Sequence, residues 1–356
     1  MIIRSVDVKE VSMEREEEFV IATGSSKSVV NFIVRVSSDE LCGLGSCCPN
    51  SVTRETPESI REDLREIGGR LIGKNPANIQ ALHEKMRTLR PDSNSARAAI
   101  DIALWDHMAK KAGQPLYDMF GGSRDRMVTD MSIGINELDR TVEKAKDFVS
   151  LGFRALKLKV GLDIDMDIAK LLAVKEAIPA DIIISVDANQ GYSFDQAVEF
   201  IKRTKKLNLA YIEQPVFRQD YDSLRELTKM PSPPIMADES FRNSQEASSI
   251  LATRIADMLN IKVLKCGGIT ESLKIDAVCS AFNVGTQIGC YSESALSIAA
   301  GLHLGLGGSS VEFLDLDSHF TFPDDPAKGA VTFESGQLVV SGRPGLGVEI
   351  DFDALD

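Results

Sequence analysis

Several absences limit what this chain of 356 residues can be. No apolar run approaches the ~20 residues needed to cross a bilayer. The opening stretch, MIIRSVDVKEVSMEREEEF, lacks the charged-then-apolar order of a secretory signal, and it is acidic where a transit peptide is basic. Positive charge is in deficit. The 40 Lys and Arg against 53 Asp and Glu leave a net charge of -13, which disfavours a nucleic-acid backbone or an anionic membrane as partner. The six cysteines (Cys42, Cys47, Cys48, Cys266, Cys279 and Cys290) contain no C-x-x-C pair and read as small buried apolar residues in a cytoplasmic protein. His83, His107, His303 and His319 form no metal-spaced cluster. A near P-loop, GGRLIGKN at 68–75, has Asn75 where Ser or Thr belongs, and a helical pattern rather than a strand precedes it.

What is present is ordinary globular composition, 43% hydrophobic and 26% charged. The length suits one large α/β barrel plus a smaller domain. Residues 1–125 read as an α+β domain. Strand-like runs such as SVVNFIVRV come first. Two helices follow, one opened by Thr56-Pro57 and one running from SNSARAAID to Gly113 and apolar on one face. From residue 126 short β-rich runs alternate with amphipathic helical patterns. Markers near the ends of eight such runs (Ser132, Lys159, Asp187, Glu213, Asp238, Lys262, Gly289 and Asp315) recur every 24 to 28 residues, the length of one βα unit. Eight units close a barrel. A doubly wound sheet would carry a Gly-rich turn after its first strand, and none is present. The barrel is assigned to 126–320. The tail, 321–356, leaves the βα pattern for a strand pair and a loop, and is expected to return to the first domain.

Active sites of such barrels lie at the C-terminal strand ends. The residues found there are Lys157 and Lys159, Asp187, Glu213, Asp238, Lys262, then Asp315 and Asp317. Asp187, Glu213 and Asp238 come from three consecutive strands spaced roughly 4.8 Å apart. Carboxylates so close raise one another's pKa, and a hard divalent cation such as Mg2+ relieves the repulsion. Lysines flank them on both sides. A lysine beside other cations is expected to have a lowered pKa and to serve as a base. Lys265, three residues past Lys262, points away from the mouth by strand parity. The run EREEE at 14–18 reads as a solvated segment preceding FVIATGSSKS.

The motifs KLKV, VDANQG, IEQPV, ADES, NIKVLKCGGI and DLDSH resemble the enolase superfamily, in its muconate-lactonizing subgroup, over nearly the whole chain. The resemblance implies a modified TIM (β/α)7β barrel with an N-terminal α+β capping domain completed by the C-terminal tail. It implies Mg2+ on Asp187, Glu213 and Asp238, with Lys159 and Lys262 as two bases. The Asp-x-Asp of strand eight is similar to that of dipeptide epimerases. Asp315 and Asp317 would hold the α-ammonium of a dipeptide and Lys157 its carboxylate, with Ser132 and Gly24 also at the substrate. FVIATGSSKS, in such proteins, forms a mobile loop over the site. Gly24 stands where relatives preferring a glutamate side chain carry Arg. The expected reaction inverts an α-carbon by two-base proton transfer, in a cytoplasmic homo-oligomer. Alternatives are another racemase, dehydratase or cycloisomerase of the superfamily, or a barrel kept only as a binding scaffold.

Overall fold

Residues 1–122 and 124–355 are described in the computed structural model. A long hairpin opens the chain: β1 (Ser5–Ile21) pairs antiparallel with β2 (Gly24–Ser37), and β3 (Cys42–Cys47) extends the sheet on the far edge of β2. Register slips between Glu14 and Phe19, so the distal part of the hairpin is set off from the rest by an irregularity. Helices α1 (Pro57–Leu71), α2 (Ile79–Leu89) and α3 (Asn94–Ala112) follow. Thr56 caps α1 reciprocally with Ser59, and Pro57 occupies its first turn, as the sequence suggested.

The expectation for α3 was too modest. It is buried on nearly every side, because it lies between the sheet and the barrel. Small residues permit that packing. A Cβ on Gly45 would stand 2.0 Å from the Ala99 carbonyl, and one on Gly43 would stand 2.0 Å from that of Ala103. On the opposite side, buried Asp101 accepts bonds from the backbone and hydroxyl of Thr270, 2.9 and 2.7 Å away. The two domains are therefore joined through hydrogen bonds as well as apolar contact.

After the short α4 (Leu116–Met119) and β4 (Arg126–Val128), eight parallel strands run in sequence order: β5 (Asp130–Ile133), β6 (Ala155–Lys159), β7 (Ile183–Asp187), β8 (Ile212–Glu213), β9 (Ile235–Ala237), β10 (Met258–Lys262), β11 (Thr286–Gly289) and β12 (Val311–Asp315). Seven helices cross between them: α5 (Leu138–Ser150), α6 (Ile164–Ala177), α7 (Phe194–Thr204), α8 (Tyr221–Thr228), α9 (Ser244–Ala252), then α11 (Ile269–Phe282) after the one-turn α10 (Val263–Cys266), and α12 (Ala295–Gly307). Among the described residues no α-helix follows β12, only the short 3-10 turns Ser318–Thr321 and Phe352–Ala354, so the barrel is (β/α)7β. It is nearly closed. At the seam Thr129 bridges Leu314, and its hydroxyl accepts from the Leu316 amide at 3.0 Å.

The tail divides its contacts. β13 (Thr332–Glu334) and β14 (Gln337–Val339) form a hairpin that pairs with β4 at the entrance to the barrel. The last residues then touch the first domain. Leu116 donates to the Gly345 carbonyl at 2.9 Å, Lys9 donates to that of Leu355 at 2.6 Å, and Arg35 lies 4.3 Å over the Phe352 ring.

Candidate active site

The strand ends turn their charges inward. Lys157, Asp187, Glu213, Asp238, Lys262, Asp315 and Asp317 are all buried, and Lys159 nearly so. Burying so many charges is tolerable only if each is paired. Lys157 Nζ lies 2.6 Å from Glu213 Oε2, 2.7 Å from Asp315 Oδ2 and 4.0 Å from Asp187 Oδ2. Lys159 Nζ donates to Asp187 Oδ2 at 2.6 Å. Lys262 Nζ lies 3.0 Å from Asp238 Oδ2 and 4.6 Å over the Tyr291 ring.

The backbone aims these groups. β8 stops at Glu213 because Gln214 adopts a left-handed φ of 33°. That conformation is costly for a non-glycine residue, and the Gln214 side chain offsets it. Its oxygen accepts from the Asp238 amide at 2.9 Å, while its nitrogen donates to Ser240 at 2.9 Å and to the Val216 carbonyl at 3.1 Å. One glutamine thus ends one strand and fixes the end of the next. Asp187 is held similarly, accepting at 2.8 Å from the amide of Asn189, whose φ is 41°.

Lys265 departs from its expected place. β10 ends at Lys262, so strand parity stops there, and one turn of α10 swings Lys265 back. Its Nζ donates to Asp238 Oδ1 at 2.6 Å and to the carbonyls of Asp238 and Asn260 at 2.6 and 2.8 Å. Its ammonium also sits 4.0 Å over Phe241. Asp238 therefore has two lysine partners. Burial would raise its pKa, but Lys262 and Lys265 outweigh burial and hold it below the usual carboxylate range. Glu213 behaves oppositely. Burial, with Asp187 and Asp238 nearby, pushes it up despite Lys157.

The lysines also differ from expectation. Burial would lower each, but Asp315 and Glu213 raise Lys157, Asp187 raises Lys159 and Asp238 raises Lys262. Their direct carboxylate partners outweigh the lysine neighbours on which the expected depression rested. A cation drawing on those carboxylates would weaken this support and leave burial to lower the lysines. Asp187, Glu213 and Asp238 stand side by side, with Asp187 paired to Glu213 and Glu213 to Met236 in register. The donor set suits a hard divalent ion. It is all carboxylate oxygen, and two buried oxygens beside it, Asn189 Oδ1 and Glu239 Oε2, have no hydrogen-bond partner. Glu239 is pushed up to about 8 by burial and by neighbouring Asp238 and Asp187.

A second acidic group faces the seam. Ligand-capable oxygens of Asp130, Asp315 and Asp317 lie within 4.8 Å of one another. Ser132 serves this group, donating its amide to Asp317 Oδ2 at 2.7 Å, with its hydroxyl 3.5 Å from Asp315 Oδ1. Asp130 was missed from the sequence. It lies two residues before Ser132 on one strand and so shares its face, which was a readable signal.

Gly24 is exposed at the hairpin tip, opposite Ile21, and a Cβ there would meet nothing within 4 Å. The tip reaches the barrel. Ile135 donates to the Val20 carbonyl at 2.8 Å, and Arg15, buried, donates to Thr321 and Ser292 at 2.6 and 2.7 Å. Arg15 thus interrupts the expected solvated run. FVIATGSSKS forms the end of this hairpin and lies against the mouth. Two of the histidines make structural contacts: His83 meets Asp101 at 3.2 Å and His107 meets Ser38 at 2.9 Å. Among the cysteines, Cys42 is exposed, contrary to expectation, because it begins the edge strand β3.

Comparison with known proteins gives a consistent picture. Residues 3–121 match the family model of the mandelate racemase / muconate lactonizing enzyme N-terminal domain, and residues 140–354 match that of the enolase C-terminal domain-like family. The chain is 37% identical to a hydrophobic dipeptide epimerase of Enterococcus faecalis, covering 98% of this chain and 99% of that protein. It is 31% identical to the L-Ala-D/L-Glu epimerase of Bacillus subtilis, over 96% and 95%. Among solved structures, a dipeptide epimerase from E. faecalis, complexed with Mg and the dipeptide L-Leu-L-Tyr, superposes with a TM-score of 0.95 at 36% identity, over 98% of this chain and 100% of that one.

Proposed function

Because this chain belongs to the enolase superfamily, in its mandelate racemase / muconate lactonizing family, we propose that it is a Mg2+-dependent dipeptide epimerase. It inverts the α-carbon of the C-terminal residue. The observation that carries the reading is the coexistence, in one barrel mouth, of three strand-end carboxylates, lysines on opposite walls, and a separate acidic pair. Asp187, Glu213 and Asp238 would hold Mg2+, which when bound would supply positive charge beside the substrate carboxylate and make the adjacent α-proton more acidic.

The chain's own groups do the rest. Lys159, on β6, and Lys262, on β10, stand four strands apart in an eight-stranded ring, on opposite sides. One removes and keeps the α-proton, and the other delivers a proton of its own ammonium to the opposite face. Lys157 adds a fixed positive charge beside Glu213 and Asp315 and helps seat the carboxylate. Asp315 and Asp317, steadied by Ser132, take the α-ammonium. N-acyl amino acids and muconates carry no such cation, so the pair distinguishes a dipeptide from them.

The half-buried hairpin end, Phe19-Val20-Ile21, supports an apolar side chain on the epimerised residue, and exposed Gly24 offers no charge to an acidic one. No helix among the described residues is long and apolar enough to cross a membrane. A cytoplasmic homo-oligomer belongs to the same reading, and six free cysteines support the compartment. The test is a dipeptide panel in deuterated water with Mg2+, followed by NMR. Deuterium should enter the C-terminal α-position, with apolar residues favoured. No exchange with any dipeptide would refute the assignment.

A further inference from the structure

Beneath the proposed ammonium pair lies Asp130, at the start of β5, only 4% exposed. Its Oδ2 is 3.3 Å from the Tyr211 hydroxyl, and its Oδ1, turned among the acidic group, has no partner. Tyr211 also meets Gln287 Oε1 in a short contact. The orientation of Gln287 is set by charge. Its amide nitrogen faces Glu213 Oε2, 3.4 Å away, and flipping it would press an oxygen against that carboxylate.

The hydrogen count follows. Gln287 Oε1 can only accept, and Tyr211 has one hydrogen, for which Gln287 Oε1 and Asp130 Oδ2 compete. Asp130 Oδ2 has at most that shared hydrogen, and Oδ1 has no donor at all. An ionised Asp130 would leave Oδ1 buried among carboxylates with no hydrogen to accept, at a cost comparable to a lost hydrogen bond. A proton on Asp130 relieves it. Burial, then Asp315, acts in the same direction, pushing the Asp130 carboxyl well up.

We propose that Asp130 is a neutral carboxylic acid and the positioning residue of the cation-binding end of the site, its proton steadying Asp315 from below while Tyr211 and Gln287 tie the same chain to Glu213. The ammonium function of Asp315 and Asp317 rests on the dipeptide reading; the protonation of Asp130 does not. A neutral Asp130 sets the charge of the pocket. Lys157 already lies 2.7 Å from Asp315, so a third ionised carboxylate would leave excess negative charge and invite a metal cation in place of an ammonium. With Asp130 neutral, one organic monocation suffices.

Two measurements test this. Infrared difference spectra of the wild-type holoenzyme against Asp130→Asn should lose one buried carboxylic-acid carbonyl band at neutral pH. An unchanged acid region would overturn the proposal whatever the enzyme's substrate proves to be. In kinetics, Asp130→Asn keeps shape and neutrality, so kcat/KM for a free dipeptide should stay within about threefold, whereas Asp130→Ala should raise KM about 10-fold or more with a smaller change in kcat. Should Asp130→Ala fold poorly, Tyr211→Phe, which unties the chain from the other end, should raise KM in the same direction. A loss of about 100-fold or more in Asp130→Asn would show that the negative charge is needed, as would loss of a second bound divalent ion per chain, and either would sink the idea. If wild type epimerises no dipeptide, the functional reading fails while the infrared result still decides the protonation state.

Discussion

Replacing Lys262 by Ala is the most informative perturbation of the proposed two-base reaction. Lys262 can be removed without stranding a charge, because Asp238 keeps Lys265, which donates to its Oδ1 at 2.6 Å. The same is not true of Lys159. Its removal leaves Asp187 Oδ2 with Lys157 at 4.0 Å as its remaining lysine neighbour. Lys262→Ala should therefore fold normally and report on chemistry. A lost general base typically costs 10²–10⁴-fold, or about 3–5 kcal/mol of barrier. Epimerisation needs both lysines and should fall by at least that factor. Exchange needs only one. In deuterated water, Lys262→Ala should still wash out the α-proton of the epimer presented to Lys159, and Lys159→Ala that of the other epimer. Proton NMR follows both signals in one tube. Near wild-type epimerisation by Lys262→Ala, or the same stereochemical preference in both variants, would refute the opposed-lysine arrangement and favour a one-base dehydratase or cycloisomerase.

Chelation should abolish activity and Mg2+ restore it, and Glu213→Gln should remove most turnover with little change in the melting curve; full turnover in excess chelator would exclude the metal. N-acetylated dipeptides should react at least about 10-fold more slowly than free ones, since acetylation removes the cation proposed for Asp315 and Asp317; equal rates would instead indicate an N-acylamino-acid racemase. Stability should fall in acid through His303. Burial holds this ring down to about 4 from an ordinary 6.5, and its two nitrogens already accept from the Tyr117 amide and donate to the Leu346 carbonyl. A depressed histidine contributes stability that is present above about pH 6.5 and lost as pH falls toward 4, up to about 3 kcal/mol. Urea titrations at pH 7 and pH 4.5 should differ by much of that amount, and less so in His303→Gln.

Much of this molecule was readable because strand parity and repeat length are strict. The βα interval located all eight barrel strands, and the inward face of each followed from period two. Reading failed where parity ends. Lys265 lies past the last strand residue, where a helical turn resets direction, and the Gly267-Gly268 pair just beyond was the visible cue to a sharp change of course. Asp130 failed for another reason. Ser132, nearer the strand end, is the more visible marker of β5, and a lone buried aspartate has no motif of its own. The lysine protonation could not be read at all, because it depends on angstrom-scale partners such as Asp187 Oδ2 rather than on spacing.

The barrel seam carries a consequence for how the protein comes to exist. Ser132 and Asp317 are 185 residues apart in the chain and 2.7 Å apart in space, and they meet where the first strand closes on the last. The proposed cation-binding end of the pocket therefore cannot form until Asp317 has left the ribosome, although Lys159, Asp187 and Glu213 emerge much earlier. Contacts of such long loop closure are among the slowest to form. A nascent chain holding the lysines and carboxylates without the seam has the reactive groups but not the discriminating ones. Closure of the ring therefore completes the proposed selecting end of the pocket after the proposed reactive groups are already in the chain.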